Sequence, residues 1–330
     1  MKAAVFKRAG LLEVEDILRP EAKPGELVLG VNYCGICGSD LHRYAHGLMT
    51  SGVIMGHEYA GVVAEVGEGV EGWQVGDRVI RGVRAGSLGD RYSARDKGFT
   101  LDASMPGGYA EFCAAPATAL FRTPDSLSDE VASLSEPLSV GVHAVRRSAL
   151  RPGDAVALLG AGPIGLLTLQ VVRQMMPRLL IVFEPLATRR ELALRLGADV
   201  VLDPGRVDVV AECVRLTDGL GPDVVFECAG AKQSLQQSLE MVRRGGQVLL
   251  LALRMEQTEI TPLDWVGREV CMQCSYGSEP ADWQVSLHLL ASGKVQGEPI
   301  ISHIVPLAEI QVAFQGLLRL TNEIQVLVRP

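Results

Sequence analysis

Two rhythms of apolar and polar residues divide the chain. Up to about residue 124, short apolar runs such as 26–32 and 60–66 are separated by turns rich in Gly, Pro and Asp. This pattern is typical of a compact β-barrel with irregular loops. Residues 81–106 lose the periodicity and become polar and rich in glycine, so we expect a surface excursion there.

The second rhythm begins at about residue 154, where apolar runs of strand length alternate with segments of helical length. Such an alternation predicts a parallel sheet covered by helices on both faces. The expected strands are 154–160, 179–183, 199–202, 223–227, 246–252 and 270–275, and the expected helices are 164–175, 188–196, 207–216 and 233–242.

Three further segments lie outside this alternation. A helix is expected to begin at Ser128 and to end or break at Glu136-Pro137, because proline disfavours helical continuation. The C-terminal part contains predicted helices at 283–292 and 307–318, followed by an apolar run at 324–328. This run is too short to form a domain, so we expect it to pack back on the first one.

Composition narrows the classes of function. A chain of 330 residues with 48% apolar and 21% charged residues is expected to be globular, with two domains. The net charge of −8, without a Lys/Arg cluster, argues against nucleic-acid binding, and no apolar stretch approaches the ~20 residues of a membrane span. Seven cysteines do not suggest a disulfide framework. We therefore expect a cytoplasmic protein with a small-molecule partner.

A dinucleotide motif occupies residues 160–165, which are Gly-Ala-Gly-Pro-Ile-Gly between a predicted buried strand and a helix. In this context the glycines allow a tight turn, close approach of a pyrophosphate and packing of the helix on the sheet. Glu184 ends the next strand, where a carboxylate would bind a ribose diol and repel a 2′-phosphate. The pattern favours NAD over NADP and disfavours a glycine-rich turn without a nucleotide, although Arg189 and Arg190 could instead meet a phosphate.

A candidate metal site begins at Cys37 and continues with His57 and Glu58. A thiolate, an imidazole and a carboxylate can bind zinc and leave a fourth position open, as a catalytic zinc requires. Cys34 and Cys37 could also form half of a zinc knuckle or a redox pair, but the barrel has no second cysteine pair and no redox helix pattern follows. Gly56 is expected to leave room for ligand approach. For any one of these residues taken alone, the alternative to metal binding is an ordinary position in the protein core.

The remaining cysteines are not expected to bind metal. Cys271 and Cys274 are three positions apart on a predicted strand, so their side chains point to opposite faces. Cys113, Cys213 and Cys228 have the surroundings of small apolar residues.

Together these motifs resemble the zinc-containing medium-chain dehydrogenases, closest to the polyol side typified by sorbitol, butanediol and threonine dehydrogenases. The resemblance spans nearly the whole chain. The segments that carry it are 37–42 (Cys-Gly-Ser-Asp-Leu-His), 56–61 (Gly-His-Glu-Tyr-Ala-Gly), 75–79 (Val-Gly-Asp-Arg-Val), 107–112 (Gly-Gly-Tyr-Ala-Glu-Phe), 136–140 (Glu-Pro-Leu-Ser-Val) and the turn at 160–165.

The resemblance implies an α/β fold of two parts. A GroES-like β-barrel catalytic domain is expected over 1–137 and 276–330. A Rossmann dinucleotide-binding domain, with a doubly wound parallel sheet, is expected over 138–275.

The resemblance also implies a ligand set for zinc. Cys37, His57 and Glu58 match the family's zinc-ligand positions. Glu136 matches an acidic residue of the polyol branch that binds the metal directly or through water. Asp40 matches a group that orients His57, an arrangement that commonly tunes zinc sites.

Further roles follow from the same resemblance. Ser39 and His42 match proton-relay positions, while Glu58 is counted with them as a catalytic residue. Val140 and Ile164 match positions that pack against the nicotinamide. The expected cofactor contacts are Gly160, Gly162, Pro163, Ile164, Gly165, Glu184, Arg189 and Val140.

The chain departs from the family in two places. Many relatives carry four closely spaced cysteines for a structural zinc, but residues 80–112 contain no cysteine. We therefore expect one catalytic zinc per subunit and no structural zinc, in a homodimer or homotetramer. Gln325 lies where many relatives have a basic cofactor contact.

The predicted activity is the reversible oxidation of a secondary alcohol by NAD, with zinc as a Lewis acid. The alcohol is expected to be a polyol, sugar alcohol, cyclitol or amino alcohol, and the product a ketone. Arg43 could meet an anionic or polyhydroxy substrate, but such a side chain is more often solvated. The alternatives are a zinc-free reductase acting on activated double bonds and a non-catalytic, nucleotide-sensing protein on the same fold.

Overall fold

The computed structural model describes residues 1–82 and 107–330, which divide into two compact units. The first unit contains Met1–Glu136, Glu279–Gly293 and Gly297–Pro330, and the second contains Pro137–Ser278 and Lys294–Gln296. All but the first two residues of the excursion expected at 81–106 lie outside the described residues.

The described residues form fifteen strands and ten α-helices. The strands are β1 (Lys2–Arg8), β2 (Leu11–Asp16), β3 (Glu26–Gly35), β4 (Glu58–Val66), β5 (Arg78–Arg81), β6 (Phe112–Pro116), β7 (Leu120–Arg122), β8 (Ala155–Leu159), β9 (Leu179–Phe183), β10 (Val200–Leu202), β11 (Val224–Glu227), β12 (Gln247–Leu250), β13 (Cys271–Cys274), β14 (Ile301–Pro306) and β15 (Gln325–Arg329). The helices are α1 (Gly38–His46), α2 (Asp129–Ser133), α3 (Ser135–Arg147), α4 (Pro163–Gln174), α5 (Ala187–Arg195), α6 (Val209–Leu216), α7 (Ser234–Met241), α8 (Pro262–Arg268), α9 (Pro280–Ala291) and α10 (Ile310–Leu317).

The main sheet of the first unit joins the two ends of the chain. Its strand order is β14-β15-β3-β4-β5-β7, and β6 also pairs with β3. The C-terminal strand β15 runs antiparallel to β3, with Leu327 opposite Gly35 and Val328 opposite Cys34. The last apolar run therefore returns to the N-terminal segment, as its short length predicts.

An aromatic cluster in the core of this unit holds α1 and α10 against the barrel. Phe314 of α10 has no exposed surface, and its ring lies 5.2 Å from the Tyr44 ring and 5.7 Å from the Tyr109 ring, both in edge geometry. Such edge contacts are favourable for aromatic rings. Because α1 begins next to Cys37, this packing fixes the helix from which the candidate metal site is built.

The second unit contains a six-stranded sheet in the order β10-β9-β8-β11-β12-β13, in which every pair is parallel. From β8 the sheet grows in both directions, which is the doubly wound arrangement. Each strand that the apolar runs predict is present. The α/β class predicted from the sequence, with a barrel and a doubly wound sheet, is confirmed.

Three helices, α1, α3 and α8, were not expected from the sequence. The expected break at Glu136-Pro137 is displaced, because α2 ends at Ser133 and α3 begins at Ser135 and runs to Arg147. Pro137 lies in the first turn of α3, where the missing N–H has no intrahelical partner to lose. Helix α8 (Pro262–Arg268) has no buried residue and spans only seven residues, too few to show the apolar periodicity by which helices are recognised. Among the described residues, no helix combines the length and apolarity needed to cross a bilayer.

Candidate active site

Within the described part of the chain, one group of side chains is compact enough to hold a metal ion. Cys37, His57 and Glu58 each offer one ligand atom, and these atoms lie within 4.8 Å of one another. A sulfur, a nitrogen and a carboxylate oxygen form a donor set that suits zinc. The structure therefore brings together the three residues that the sequence motifs predict as ligands.

Cys37 caps the N-terminus of α1. Its backbone is extended, and its sulfur accepts hydrogen bonds from Ser39 N at 3.4 Å and from Ser39 Oγ at 3.3 Å. Helix N-termini favour a thiolate, since unpaired N–H groups and the helix dipole face it. Burial, followed by the Glu58 carboxylate, nevertheless raises the pKa of the Cys37 thiol. A cation beside the sulfur is what would make the thiolate stable here.

His57 is buried and has one ring nitrogen directed at Asp40. The distance from His57 Nδ1 to Asp40 Oδ2 is 3.4 Å, and the Tyr109 hydroxyl donates to the same oxygen at 2.8 Å. This arrangement leaves Nε2 for a metal, as in the carboxylate–histidine pairs behind many zinc ions. Gly56 was expected to leave room for ligand approach. In the structure the space beside it is taken by Cys34 Sγ and the Tyr109 ring, which a Cβ at this position would meet.

Glu58 is the first residue of β4 and lies opposite Gly35 of β3. Gln325 Nε2 donates to Glu58 Oε2 at 2.8 Å, and Gln325 is only 1% exposed. A side chain at Gly35 would overlap both of these groups. Glycine at this position is therefore required for the carboxylate to reach the cluster. The neutral amide of Gln325 is therefore a direct partner of the Glu58 carboxylate.

The electrostatics of the cluster favour a cation. Burial raises the pKa of Glu58 to about 8, and the Glu136 carboxylate adds to the rise. Burial also raises the pKa of Glu136, which lies outside the compact group of three. Burial lowers the pKa of His57, but the nearby Asp40 carboxylate outweighs this effect and holds the pKa well above its usual value. Carboxylates that raise one another's pKa in this way are stabilised in their charged form by a divalent ion.

The residues expected to relay a proton lie on α1. Ser39 is buried, while His42 is half-buried and its ring stacks on His46 at a centroid distance of 6.3 Å. Ser39 and His42 are three residues apart, so they are neighbours on one face of the helix. Arg43 was expected to be solvated or to meet substrate, but it is 2% exposed and donates to Ser39 Oγ at 2.9 Å.

The dinucleotide motif forms a turn between β8 and α4. Gly160 has a φ of +89°, and a Cβ there would contact the Ala229 backbone at 2.8 Å. Gly162 is the N-cap of α4, and Pro163 takes the first helical position. A side chain at Gly165 would overlap the Gly160 carbonyl. The glycines thus have the three roles expected of a phosphate-binding turn, and the helix N-terminus is open to an anion.

Glu184 stabilises this turn through hydrogen bonds to backbone amides. Its carboxylate is 3% exposed and accepts hydrogen bonds from Ala161 N at 2.8 Å and Leu186 N at 3.0 Å. Arg190 donates to the carbonyls of Glu184 and Pro185 and pairs with Asp203 at 3.4 Å.

Arg189 is the arginine that borders the nucleotide turn. Its Nη1 lies 3.9 Å from the point where Gly162 would carry a Cβ. Of the two arginines that could meet a phosphate, Arg189 therefore lies at the turn, whereas Arg190 is bound to backbone carbonyls and to Asp203. Val140 and Ile164, the expected nicotinamide contacts, are both half-buried in the second unit.

Sequence reasoning missed three residues around the metal cluster. Tyr109 lies in a motif that supported the resemblance, but nothing in its spacing indicated a bond to Asp40. Gln325 was noted as a departure from a basic residue, and its contact with Glu58 depends on the pairing of β15 with β3. Arg43 follows the metal motif at helical spacing, which is the one signal that could have indicated contact with Ser39. Cys271 and Cys274 are both exposed and belong to no metal-binding group among the described residues.

Two family models match the chain. The alcohol dehydrogenase GroES-like domain matches residues 23–125, and the zinc-binding dehydrogenase model matches residues 163–292. The first match covers the barrel segment that carries Cys37, His57 and Glu58. The second begins inside the dinucleotide motif.

Individual relatives are similar over their whole length. The chain is 34% identical to the (R,R)-butanediol dehydrogenase of Bacillus subtilis, with 100% of both chains covered. It is 31% identical to a sorbitol dehydrogenase of Halalkalibacterium halodurans, covering 100% of this chain and 99% of the relative. A solved structure from Sinorhizobium meliloti, described as a candidate zinc-binding dehydrogenase bound to NADP, superimposes with a TM-score of 0.89 at 32% identity, covering 100% of this chain and 99% of the other.

The raised pKa values of the cluster lead to a test with zinc. In zinc-free protein at neutral pH, His57 and Glu58 retain protons that a metal must displace, and so does the Cys37 thiol. We expect zinc uptake to release about two protons or more, and zinc affinity to rise between about pH 6 and pH 8 because higher pH removes these protons. Calorimetric titration in two buffers of different ionisation enthalpy measures the release.

The Cys37→Ala variant is the control for zinc bound elsewhere on the protein. It is expected to take up zinc weakly and to release fewer protons. Proton release that is close to zero in the unaltered protein would contradict the protonation states derived above.

Proposed function

Since this chain belongs to the zinc-type alcohol dehydrogenases, on the branch of the butanediol and sorbitol dehydrogenases, we propose that one catalytic zinc ion is held by Cys37, His57 and Glu58. The chain is an alcohol or polyol dehydrogenase, and the family supports zinc and a nicotinamide cofactor for it. The proposal concerns the ligands, the number of metal ions, the choice of cofactor and the roles of individual residues.

The compact group of three ligand atoms carries the proposal. The sequence places these residues on two separate segments, and the fold brings their ligand atoms within 4.8 Å. Glu136 is proposed as a fourth acidic group that acts on the metal directly or through water. A single zinc follows because residues 80–112 lack the cysteines of a structural site. An oxidised Cys37 could not serve as a ligand, so the proposal also places the protein in a reducing compartment, the cytoplasm.

The chemistry of the zinc, when bound, is to act as a Lewis acid that lowers the pKa of an alcohol oxygen. The protein's own groups prepare this position. Asp40 holds the His57 ring so that Nε2 faces the cluster, and Gln325 holds one oxygen of Glu58, which directs the carboxylate. Both contacts fix ligand orientation in advance, which reduces the reorganisation needed when metal binds.

Proton removal is proposed for Ser39 and His42. Oxidation of a CH–OH group to a carbonyl releases a proton and a hydride, and the nicotinamide accepts the hydride. Ser39 Oγ lies beside Cys37 Sγ, so it is the hydroxyl nearest the metal position on α1. His42, on the same helix face and half-buried, is the group that would pass the proton onward toward water.

The proposed cofactor is NAD, bound by the turn of Gly160, Gly162, Pro163, Ile164 and Gly165. Glu184 is negative and lies directly behind this turn, so it would repel the 2′-phosphate of NADP. Arg189 borders the turn and is proposed to contact the ribose or the pyrophosphate. Val140 and Ile164 are proposed to pack against the nicotinamide. The domains that carry these roles are proposed as 1–137 with 276–330 for catalysis and 138–275 for the cofactor.

The proposed substrate is a secondary alcohol among the polyols, sugar alcohols, cyclitols and amino alcohols. A zinc-free reductase on the same fold would have no use for the buried set of Cys37, His57 and Glu58. A nucleotide-sensing protein without catalysis would not need Asp40 and Ser39 arranged behind those ligands. Both alternatives are therefore disfavoured by the same cluster.

We also propose that the protein is a homodimer, or a homotetramer built from such dimers, through the edge of the second unit's sheet. Strand β13 is the edge strand, and Met272 on it is 39% exposed. Beside it in sequence, α8 presents Leu263 at 77% and Val266 at 75% exposure. An open edge with exposed apolar residues is a template for pairing with a second copy about a two-fold axis.

The zinc assignment is tested by replacing one ligand. Purified protein is expected to contain one zinc per chain, and Cys37→Ser is expected to lose the metal. Turnover of polyols with NAD should fall by about 100-fold or more, because Lewis-acid stabilisation is worth several kcal/mol. NAD affinity, followed by fluorescence, should change little. Metal analysis and a screen of polyols, amino alcohols and cyclitols provide the measurements.

The matched control is Cys271→Ser, which removes an exposed thiol outside the cluster. It is expected to keep both zinc and turnover. Two tightly held zinc ions per chain would contradict the single site, and full turnover in Cys37→Ser would contradict the ligand assignment.

The cofactor preference is tested with Glu184→Gln. The unaltered protein is expected to bind NAD at least tenfold more tightly than NADP. Removing the negative charge should improve NADP relative to NAD by about tenfold, which corresponds to about 1.4 kcal/mol. Dissociation constants for both cofactors measure this ratio. Glu191→Gln, an exposed change on the following helix α5, should leave the ratio unchanged. Equal binding of both cofactors by the unaltered protein would refute the preference.

The proposed interface is tested by light scattering. The unaltered protein is expected to show at least twice the chain mass of 35.4 kDa. The double change Leu263→Asp and Val266→Asp places charges on the α8 surface and should shift the protein to smaller assemblies. Val312→Asp, at a residue 70% exposed on α10, is the control and should leave the mass unchanged. A monomer at all concentrations would rule out the dimer.

A further inference from the structure

Arg43 is a buried cation that the proposed reaction does not use. It is 2% exposed, although arginine is almost never buried to this extent without partners. Its burial leaves almost no surface with which it could meet a substrate. The side chain must therefore have a role inside the fold, and its neighbours indicate which one.

Ser39 and Asp40 are contacted by the guanidinium, and each of them contacts a proposed zinc ligand. Arg43 Nη1 donates to Ser39 Oγ at 2.9 Å, and Ser39 Oγ lies 3.3 Å from Cys37 Sγ, to which it donates. The same Nη1 lies 3.5 Å from Asp40 Oδ1, and Asp40 Oδ2 lies 3.4 Å from His57 Nδ1. The buried Arg43 cation is thus linked to the Cys37 thiol through Ser39 and to the His57 imidazole through Asp40.

The spacing on α1 explains this double contact. Ser39 and Asp40 precede Arg43 by four and three residues, so all three side chains lie on the same face of the helix. Nη1 carries two N–H groups whose directions are fixed by the plane of the guanidinium, whereas the N–H groups of a lysine ammonium rotate freely. Arginine is therefore suited to hold a hydroxyl and a carboxylate at the same time.

The contact also determines the direction of the Ser39 hydroxyl. A guanidinium donates hydrogen bonds and accepts none, so Ser39 Oγ must receive its hydrogen bond through a lone pair. The one hydroxyl hydrogen of Ser39 is then available for the Cys37 sulfur. A thiolate that accepts hydrogen bonds holds its electron density more tightly, and this changes how strongly it donates to a metal.

We propose that Arg43 is a positioning residue for the metal site, which orients the Ser39 hydroxyl and the Asp40 carboxylate and through them sets the Cys37 thiolate and the His57 ring. This inference rests on the proposed function, because it assumes that Cys37 and His57 hold the metal. It adds to that function a residue that touches neither the metal nor the substrate.

The experiment compares zinc and cobalt binding to the unaltered protein and to Arg43→Met, which keeps much of the side-chain volume and removes the charge. Zinc affinity, measured by competition with a chelator, should fall by about 10–100-fold, as is typical when a group that orients a ligand is removed. With Co²⁺ in place of zinc, the thiolate-to-cobalt absorption band should move to longer wavelength, because the sulfur loses the directed hydrogen bond. A purely structural role would not move this band.

The matched control is Arg78→Met in the same unit. Arg78 also forms an arginine–carboxylate pair, with Nε donating to Asp129 Oδ1 at 3.0 Å, but among the described residues Asp129 forms no hydrogen bond or ion pair with a proposed ligand. Arg78→Met is expected to keep the zinc affinity and the cobalt spectrum of the unaltered protein.

Two further variants keep the inference open to refutation. Ser39→Ala, alone and combined with Arg43→Met, should give less than additive losses of zinc affinity, since the two residues act on the same sulfur. If Arg43→Met does not fold, Arg43→Lys decides. It should show a smaller loss of affinity with the band shifted in the same direction, because an ammonium keeps the positive charge but does not fix the donor directions as the planar guanidinium does.

The outcomes separate this inference from the proposed function. If the unaltered protein binds no zinc, or Cys37→Ser retains it, the metal assignment fails and the role of Arg43 fails with it. If those two proteins behave as proposed while Arg43→Met, or Arg43→Lys in its place, changes zinc affinity by less than twofold and leaves the cobalt band unmoved, only the role of Arg43 is overturned.

Discussion

Asp40 has no exposed surface, and its need for charge compensation organises the groups around it. A carboxylate removed from water is strongly destabilising unless hydrogen-bond donors or cations replace the solvent. Tyr109 donates to one of its oxygens, His57 lies beside the same oxygen, and Arg43 lies beside the other. Burial raises the pKa of Asp40, but these three neighbours outweigh burial and hold the pKa below its usual value. Through this buried charge the His57 ring acquires its orientation.

The barrel supplies the positions at which these groups meet. Strand β3 ends at Gly35, two residues before Cys37, and Glu58 begins β4 directly opposite Gly35. Strand β15 pairs with the same end of β3 and begins with Gln325. Three adjacent strands therefore begin or end at one edge of the sheet. The proposed ligands lie at or beside these strand ends, where the backbone of the sheet defines their separation.

The sequence was sufficient to predict the strands of the Rossmann unit and the three residues that lie together as proposed ligands, because both predictions depend on local patterns. Continuous apolar runs separated by helices have few other interpretations, and the motif around Cys37 combines residue types that zinc prefers. Helix α3 was not foreseen, because Pro137 in a first helical turn cannot be told from a terminating proline without the neighbouring contacts. Gln325 and Tyr109 meet the cluster only through tertiary structure, and no spacing in the chain encodes such contacts. The hydrogen bonds that Glu184 accepts from two backbone amides could not be inferred from its position at the end of a strand.

The bond between Gln325 and Glu58 joins positions 267 residues apart, and this separation has a consequence for the way the protein is made. During synthesis at about 5–20 residues per second, roughly 15–50 s pass after Glu58 is added before Gln325 is available. Throughout that interval β3 lacks its neighbour β15, and the ligand carboxylate lacks its amide. The contact that directs the Glu58 carboxylate can therefore form only after residue 325 has been synthesised, and until then this side chain of the proposed metal site is without its amide partner.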